Sequence, residues 1–288
     1  MNSILEFIGN TPILRLNGSN IYAKLEYFNP FGSIKDRAAY QIISDAEKDG
    51  KLHRGMTIVE ATSGNMGISL CGISQTKEYR TVIIMPENMS IRRRKLIESY
   101  GGELRLTKKE LGMSGAIDEL ENISKSNDAF IPYQFNNFSG VRAHYLTTAP
   151  EIDKQMNGRV DVVVCGIGTG ATITGIANYF YGRKVKIIGV EPEKSPFLTK
   201  GYGGIHNIQG IGAGFCPKIL NIDLIDEIIP VSDEEAFVYA NQLIKTDGLF
   251  VGMSSGAVLS AAIKISKRAE FKNKNIVTIF ADGGDRYL

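Results

Sequence analysis

The sequence is poor in the residues from which many catalytic centres are built. Its 288 residues include only three cysteines and three histidines. Cys71, Cys165 and Cys216 lie far apart without metal-site spacing, so they read as reduced thiols of a cytoplasmic protein, not as a disulfide framework or a zinc site. His53, His144 and His206 are equally scattered, which leaves both a metal site and a Ser-His-Asp triad without support. Long apolar runs are also missing: none approaches the ~18 residues of a membrane-spanning helix. The opening Met-Asn-Ser-Ile-Leu-Glu-Phe-Ile has no basic segment followed by an apolar core, so no secretory leader is expected. A net charge of +2 gives no reason to expect nucleic acid or an anionic membrane as partner. The one basic run, Arg92-Arg93-Arg94-Lys95, falls in a helix-like segment and reads as a solvated face.

Glycine, by contrast, is plentiful. The 31 glycines exceed the average share of ~7% and point to tight turns or close backbone approaches to a ligand. Hydrophobic content of 43% and charged content of 22% are those of an ordinary globular chain, long enough for one large or two modest domains. Short apolar stretches near 21–26, 57–60, 81–85, 104–106, 160–164, 186–190, 227–231 and 275–280 alternate with helix-like segments such as 66–75, 90–100 and 114–124. That alternation predicts an α/β chain with parallel sheets covered by helices on both faces. Breaks at Asn29–Gly32 and at Asn136-Asn137-Phe138-Ser139-Gly140 divide it into residues 34–138 and residues 1–33 plus 139–288.

Four constellations carry chemistry. In Asn29-Pro-Phe-Gly-Ser-Ile-Lys-Asp-Arg37, Ser33 reads as an N-cap with Asp36 three residues on, and Ala38, Ala39, Ile42 and Ile43 carry helical spacing. Lys35 then lies in a first helical turn, where the dipole disfavours an ammonium; a lysine that sheds its proton readily can bond to a carbonyl carbon. Glu60-Ala-Thr-Ser-Gly-Asn-Met-Gly67 follows a strand and opens a helix, and offers hydroxyls, an amide and backbone N–H groups to a carboxylate or phosphate. Gly166-Ile-Gly-Thr-Gly-Ala-Thr-Ile-Thr-Gly175 also links strand to helix. Gly166, Gly168 and Ala171, with Glu191 further on, fit a dinucleotide fingerprint in outline, whereas Thr169, Thr172 and Thr174 favour a terminal phosphate. Gly252-Met-Ser-Ser-Gly256 begins an alanine-rich helix and could present a serine hydroxyl to a ring nitrogen.

In this order, the four resemble the cysteine synthase (O-acetylserine sulfhydrylase) and cystathionine β-synthase family of pyridoxal-phosphate enzymes. The likeness runs nearly end to end, through Ile8-Gly-Asn-Thr-Pro12, Gln134-Phe135, Thr147-Thr148, Gly189-Val-Glu-Pro192, Gln209-Gly-Ile-Gly-Ala-Gly214 and Asp285-Arg-Tyr287. It implies the tryptophan-synthase-β-like fold (fold type II), with two three-layer αβα domains in a homodimer. Residues 1–33 plus 139–288 would form a large cofactor-binding domain and residues 34–138 a small, mobile substrate-binding domain. The implied cofactor is pyridoxal 5′-phosphate, with no metal. Lys35 would bind it covalently and transfer protons, Asn65 would hold its 3′-oxygen, and Gly168, Thr169, Gly170, Ala171 and Thr172 would hold its phosphate. Thr62, Ser63 and Gln134, with Asn65 and Met66 of the same loop as Thr62 and Ser63, would bind the amino acid, and Gly210 would line the loop over its amine. The implied reaction is β-replacement, in which O-acetyl-L-serine loses acetate and sulfide adds to give L-cysteine.

Three departures qualify that pattern. Met66 stands where the family usually has threonine. Gly283 stands where the sulfide-using branch has a serine facing the pyridine nitrogen, so Ser254 is expected to supply that hydroxyl, ahead of Ser255. Gln209–Phe215 resembles sulfide-using enzymes, whereas Glu60-Ala61, Asn88-Met89-Ser90 and Gly284-Asp285-Arg286-Tyr287 resemble thiosulfate-using ones. A thiosulfate-using synthase, a sulfide-releasing cysteine lyase and a lanthionine- or cystathionine-type synthase therefore stay open. Outside that chemistry stand a nicotinamide dehydrogenase, through Gly166–Ala171 and Glu191, and a non-catalytic binding module, hinted at by Met66.

Overall fold

The computed structural model describes residues 3–62, 64–125 and 129–288. Its strands are β1 (Ile13–Arg15), β2 (Ile21–Leu25), β3 (Thr57–Ala61), β4 (Arg80–Pro86), β5 (Glu103–Thr107), β6 (Ala129–Phe130), β7 (Val162–Gly166), β8 (Lys186–Pro192), β9 (Glu227–Val231) and β10 (Ile276–Phe280). Its helices are α1 (Lys35–Lys48), α2 (Asn65–Thr76), α3 (Ile91–Ser99), α4 (Gly112–Ile123), α5 (Phe138–Ala143), α6 (Ala149–Gln155), α7 (Ala171–Phe180), α8 (Phe197–Lys200), α9 (Asp233–Asp247) and α10 (Met253–Ser266). A π-helical turn, His144–Thr148, joins α5 to α6, and a 3-10 turn, Gly284–Tyr287, closes the chain. None of the helices described is long and apolar enough to cross a membrane.

Among the described residues two sheets form, one in the order β1-β2-β10-β7-β8-β9 and the other β5-β4-β3-β6. Pairing is parallel except between β1 and β2, whose short connection permits only the antiparallel arrangement. The inner strands β3, β4, β7, β8 and β10 are buried along nearly their whole length because helices cover both faces. In β7, Val162 and Val164 enter one core with α9 and α10, while Val163 and Cys165 enter another with α6 and α7. In the smaller sheet, Ile58 and Ile83 pack under α1, α2 and α3, and Val59, Val82 and Ile84 pack under α4. The result is two three-layer αβα units of the expected class.

Helix α1 starts at the seam between them. Ile34 packs into a core of the larger sheet, whereas Phe31, Ala38, Ala39, Ile42 and Ile43 pack into a core of the smaller one. The N-cap expected at Ser33 falls instead to Ile34, whose backbone is already helical. Ser33 Oγ still accepts the Lys35 N–H at 3.2 Å. Asp36 completes no capping box because its carboxylate is taken by the Phe31 N–H at 2.7 Å and the Ser69 hydroxyl at 2.5 Å.

Candidate active site

Three strand-to-loop exits converge on Lys35: β3 into the segment before α2, β7 into the glycine-rich turn before α7, and β10 into Ala281–Gly283. Parallel sheets place ligands at such carboxyl ends. A narrow cavity of about 70 Å³ and a broader one of about 650 Å³ meet there, sharing Lys35, Asn65, Gly168, Thr169 and Gly210 in their walls. Gly170, Thr172 and Ser254 line only the narrow cavity; Thr62, Met66 and Gln134 line only the broad one. Ala171 lines neither and packs its methyl against Val141 and Ile219, so it can offer a ligand only its backbone. Ser63 lies outside the described residues.

Lys35 is the first residue of α1 and is half-buried. Desolvation pushes its ammonium down to about 8, against the opposing pull of Asp282. A useful fraction of neutral amine therefore exists near neutral pH. Cys165 lines the same narrow cavity, but burial pushes its thiol up to about 12, which leaves it a poor nucleophile.

The glycine-rich turn is built for close approach. A Cβ on Gly168 would stand 2.3 Å from the Gly210 carbonyl oxygen, and Gly170 adopts φ +85° just before α7. The helix start offers N–H groups and the positive dipole end to an anion. Thr172 Oγ1 lies 3.2 Å from His144 Nε2, and His144 Nδ1 lies 2.8 Å from Thr148 Oγ1. Burial, with Arg37 nearby, pushes His144 down to about 3, so a neutral ring bridges the two hydroxyls.

Asn65 is fixed at both ends of its amide. Its Nδ2 donates to Asp282 Oδ2 at 2.6 Å, and its Oδ1 accepts from Arg286 at 2.6 Å. Tyr287 donates to the same Asp282 oxygen at 2.5 Å. Asp282 lines the narrow cavity, its carboxyl raised by burial above the usual carboxylate range, and its Oδ1 is buried without a hydrogen-bond partner among the described residues. Ser255 is fully buried and outside both cavity walls, and Gly283 is likewise outside them, so of these three positions Ser254 is the one that faces the narrow cavity.

In the broad cavity, Met66 is 2% exposed and packs with the core beneath α1 and α2 while forming part of the wall. Thr62 Oγ1 accepts the Gly64 N–H at 3.4 Å, and the Gln134 N–H points to Glu60 Oε2 at 3.3 Å. Glu191, the acid of the dinucleotide alternative, is buried, and its carboxylate is occupied by the Leu198 N–H and by the N–H and hydroxyl of Thr199 at the start of α8. Buried and engaged in holding α8, it is not presented to a ribose, which speaks against the dehydrogenase reading.

Sequence reasoning missed Asp282, Tyr287, Arg286, His144 and Glu60. The Asp-Gly-Gly-Asp-Arg-Tyr run was visible, but only the fold turns its side chains back onto Asn65.

A half-buried amine of lowered basicity, an anion cradle at a helix start, a serine hydroxyl in the same wall and an orphan carboxylate oxygen together fit an aromatic aldehyde that carries a phosphate. The chain belongs to the pyridoxal-phosphate dependent enzymes, whose family model matches residues 4–282. Its fold is fold type II of those enzymes and its cofactor is pyridoxal 5′-phosphate. Within the family it is similar to cysteine synthase B of Campylobacter jejuni, 47% identical over 99% of this chain and 96% of that relative. The solved cysteine synthase of Entamoeba histolytica superposes with a TM-score of 0.97 at 42% identity, covering 100% of this chain and 89% of that one. A hydrogen sulfide-producing enzyme from Fusobacterium nucleatum superposes with a TM-score of 0.95 at 41% identity, with 100% of both chains covered.

Proposed function

We propose that the protein is a cysteine synthase that exchanges the acetate of O-acetyl-L-serine for sulfide, giving L-cysteine. The observation that carries the reading is the meeting of Lys35 with a phosphate-type cradle on one side and the Thr62–Gln134 cavity on the other. Relatives named cysteine synthase, 41–47% identical along the whole chain, support it. When bound, the cofactor supplies an electron sink for charge developing at the substrate Cα.

In this reading Lys35 Nζ anchors the cofactor and then moves the Cα proton, which its lowered basicity suits. Gly168, Thr169, Gly170, Ala171 and Thr172 hold the phosphate, with His144 orienting the Thr172 hydroxyl. Ser254 faces the ring nitrogen, and Asn65, oriented by Asp282 and Arg286, holds the 3′-oxygen. Thr62, Ser63 and Gln134 take the substrate carboxylate, Met66 forms the wall beside them, and Gly210 lies over the amine. Residues 34–138 act as a small domain that closes on the larger one, 1–33 plus 139–288, and keeps water from the reacting centre. The enzyme works as a cytoplasmic homodimer.

A second reading, sulfide release from cysteine, is favoured by the likeness to the hydrogen sulfide-producing enzyme and by Met66 in place of a hydroxyl. Steady-state rates with O-acetylserine plus sulfide, O-acetylserine plus thiosulfate, and cysteine alone separate the readings. Cysteine formation from O-acetylserine and sulfide should have the highest kcat/KM. Faster sulfide release from cysteine would establish the second reading instead.

A further inference from the structure

We propose that Glu60 is a positioning residue whose carboxyl clamps a left-handed turn at Tyr133 and thereby aims Gln134 into the substrate cavity. The inference rests on reading that cavity as the amino-acid site.

Glu60 lies near the end of β3, 4% exposed, directly ahead of the Ala61–Thr62 segment. Its Oε2 receives the Gln134 N–H at 3.3 Å, and the backbone N–H groups of Ala61 and Tyr133 act on the carboxyl electrostatically, favouring its charged form. Tyr133, directly before Gln134, adopts a left-handed backbone at φ +50°. A bulky residue rarely takes that conformation unless its surroundings impose it. Glycine would take it freely; at a tyrosine the bond from the following N–H to Glu60 helps to hold it. Gln134, the next residue, lines the 650 Å³ cavity together with Thr62. One carboxyl therefore ties the loop after β3 to the turn before α5, the two segments that present Thr62 and Gln134. Burial pushes the carboxyl up to about 8, the three N–H groups working against that shift, so it serves as an acceptor without placing a full negative charge behind a carboxylate site.

Two measurements on the cofactor-loaded protein test the clamp. Hydrogen exchange of the peptide 129–137 reads the turn without substrate, and KM for O-acetyl-L-serine with sulfide reads its consequence. Glu60→Ala should speed exchange of that peptide and raise KM by about tenfold, the loss of one buried hydrogen-bonded arrangement, with kcat and bound cofactor unchanged. Glu60→Gln, which keeps an acceptor, should behave as the unaltered chain does. Adding Tyr133→Asn to Glu60→Ala should restore both quantities, because asparagine tolerates the left-handed backbone. Should Glu60→Ala not fold, Tyr133→Val, which resists positive φ, should reproduce the fast exchange and raised KM. Unchanged exchange in Glu60→Ala (or in Tyr133→Val), unchanged KM despite faster exchange, or no recovery with Tyr133→Asn would overturn the proposal. An unaltered chain that does not turn over O-acetylserine would instead refute the function, and exchange would still decide the clamp.

Discussion

Replacing Arg37 by methionine probes how the helix that carries Lys35 is held. Arg37 lies two residues after Lys35 on α1 and is 2% exposed. Its guanidinium pairs with Glu26 at 2.7 and 2.8 Å, with Glu151 at 2.7 Å through each terminal nitrogen, and with the Thr147 and Thr11 hydroxyls at 3.0 and 3.2 Å. Lys24 Nζ completes the cluster, donating to Glu151 at 2.7 Å and to the Thr11 carbonyl at 2.6 Å. Methionine keeps most of the volume but leaves Glu26 buried without its bidentate partner. Breaking a buried pair from one side costs about 3–5 kcal/mol, against a native stability of ~5–15 kcal/mol. The midpoint of thermal unfolding should fall by roughly 6–20 °C. The pH dependence should also change sign. Burial pushes the Glu26 carboxyl up, but Arg37 beside it outweighs burial and holds it down at about 2. In the unaltered chain that contribution is present above the unfolded value of 4.5 and lost only as pH falls towards about 2. Without Arg37, burial raises the folded value above the unfolded one, so Arg37→Met should become more stable on acidification from ~7 to ~5. Urea and thermal unfolding followed by circular dichroism at both pH values measure this. A loss under ~1 kcal/mol, or stability falling on acidification in the variant, would refute the reasoning.

Met66→Thr should cost about 1–3 kcal/mol of stability, because Met66 is buried in a core, yet lower KM for the amino acid by about tenfold through a new hydroxyl; an unchanged or higher KM contradicts the assignment. The rate at which apo-protein takes up cofactor should rise with pH around a midpoint near 8, since only the neutral Lys35 amine reacts and desolvation lowers its basicity from 10.5. Stopped-flow absorbance would show a midpoint near 10.5 if that environment is wrong. Glu60→Gln should flatten part of the pH profile of unfolding. Its folded value of about 8 exceeds the unfolded 4.5, so the contribution is full below 4.5 and declines, by at most ~1.4 kcal/mol per pH unit, up to about 8. Parallel profiles for the two chains would contradict the burial of that acid.

Much of this was legible in the sequence for identifiable reasons. Strands such as Val162–Gly166 and Ile276–Phe280 are continuous apolar runs bounded by glycine or polar turns, a pattern that survives without tertiary knowledge. Lys35, Asn65 and Gly168 sit in local strand–turn–helix signals, so the positions could be read before their convergence was visible. The N-cap was misplaced because Asp36 answers to Ser69, 33 residues away, and not to its own helix start. Glu60, His144 and Asp282 were hidden for a related reason. Each acts on a partner distant in the chain, Gln134, Thr172 and Asn65 respectively, and such pairings leave no periodic trace. Glu191 shows the converse hazard, a well-spaced acid whose carboxylate holds the start of α8.

The most direct test of the account locates the cofactor's covalent anchor. The protein is incubated with pyridoxal 5′-phosphate, reduced with borohydride, digested and mapped by mass spectrometry. The added pyridoxyl mass should sit on the peptide containing Lys35 and disappear in Lys35→Ala. Label on another lysine, such as the buried Lys24, or on none, would contradict it.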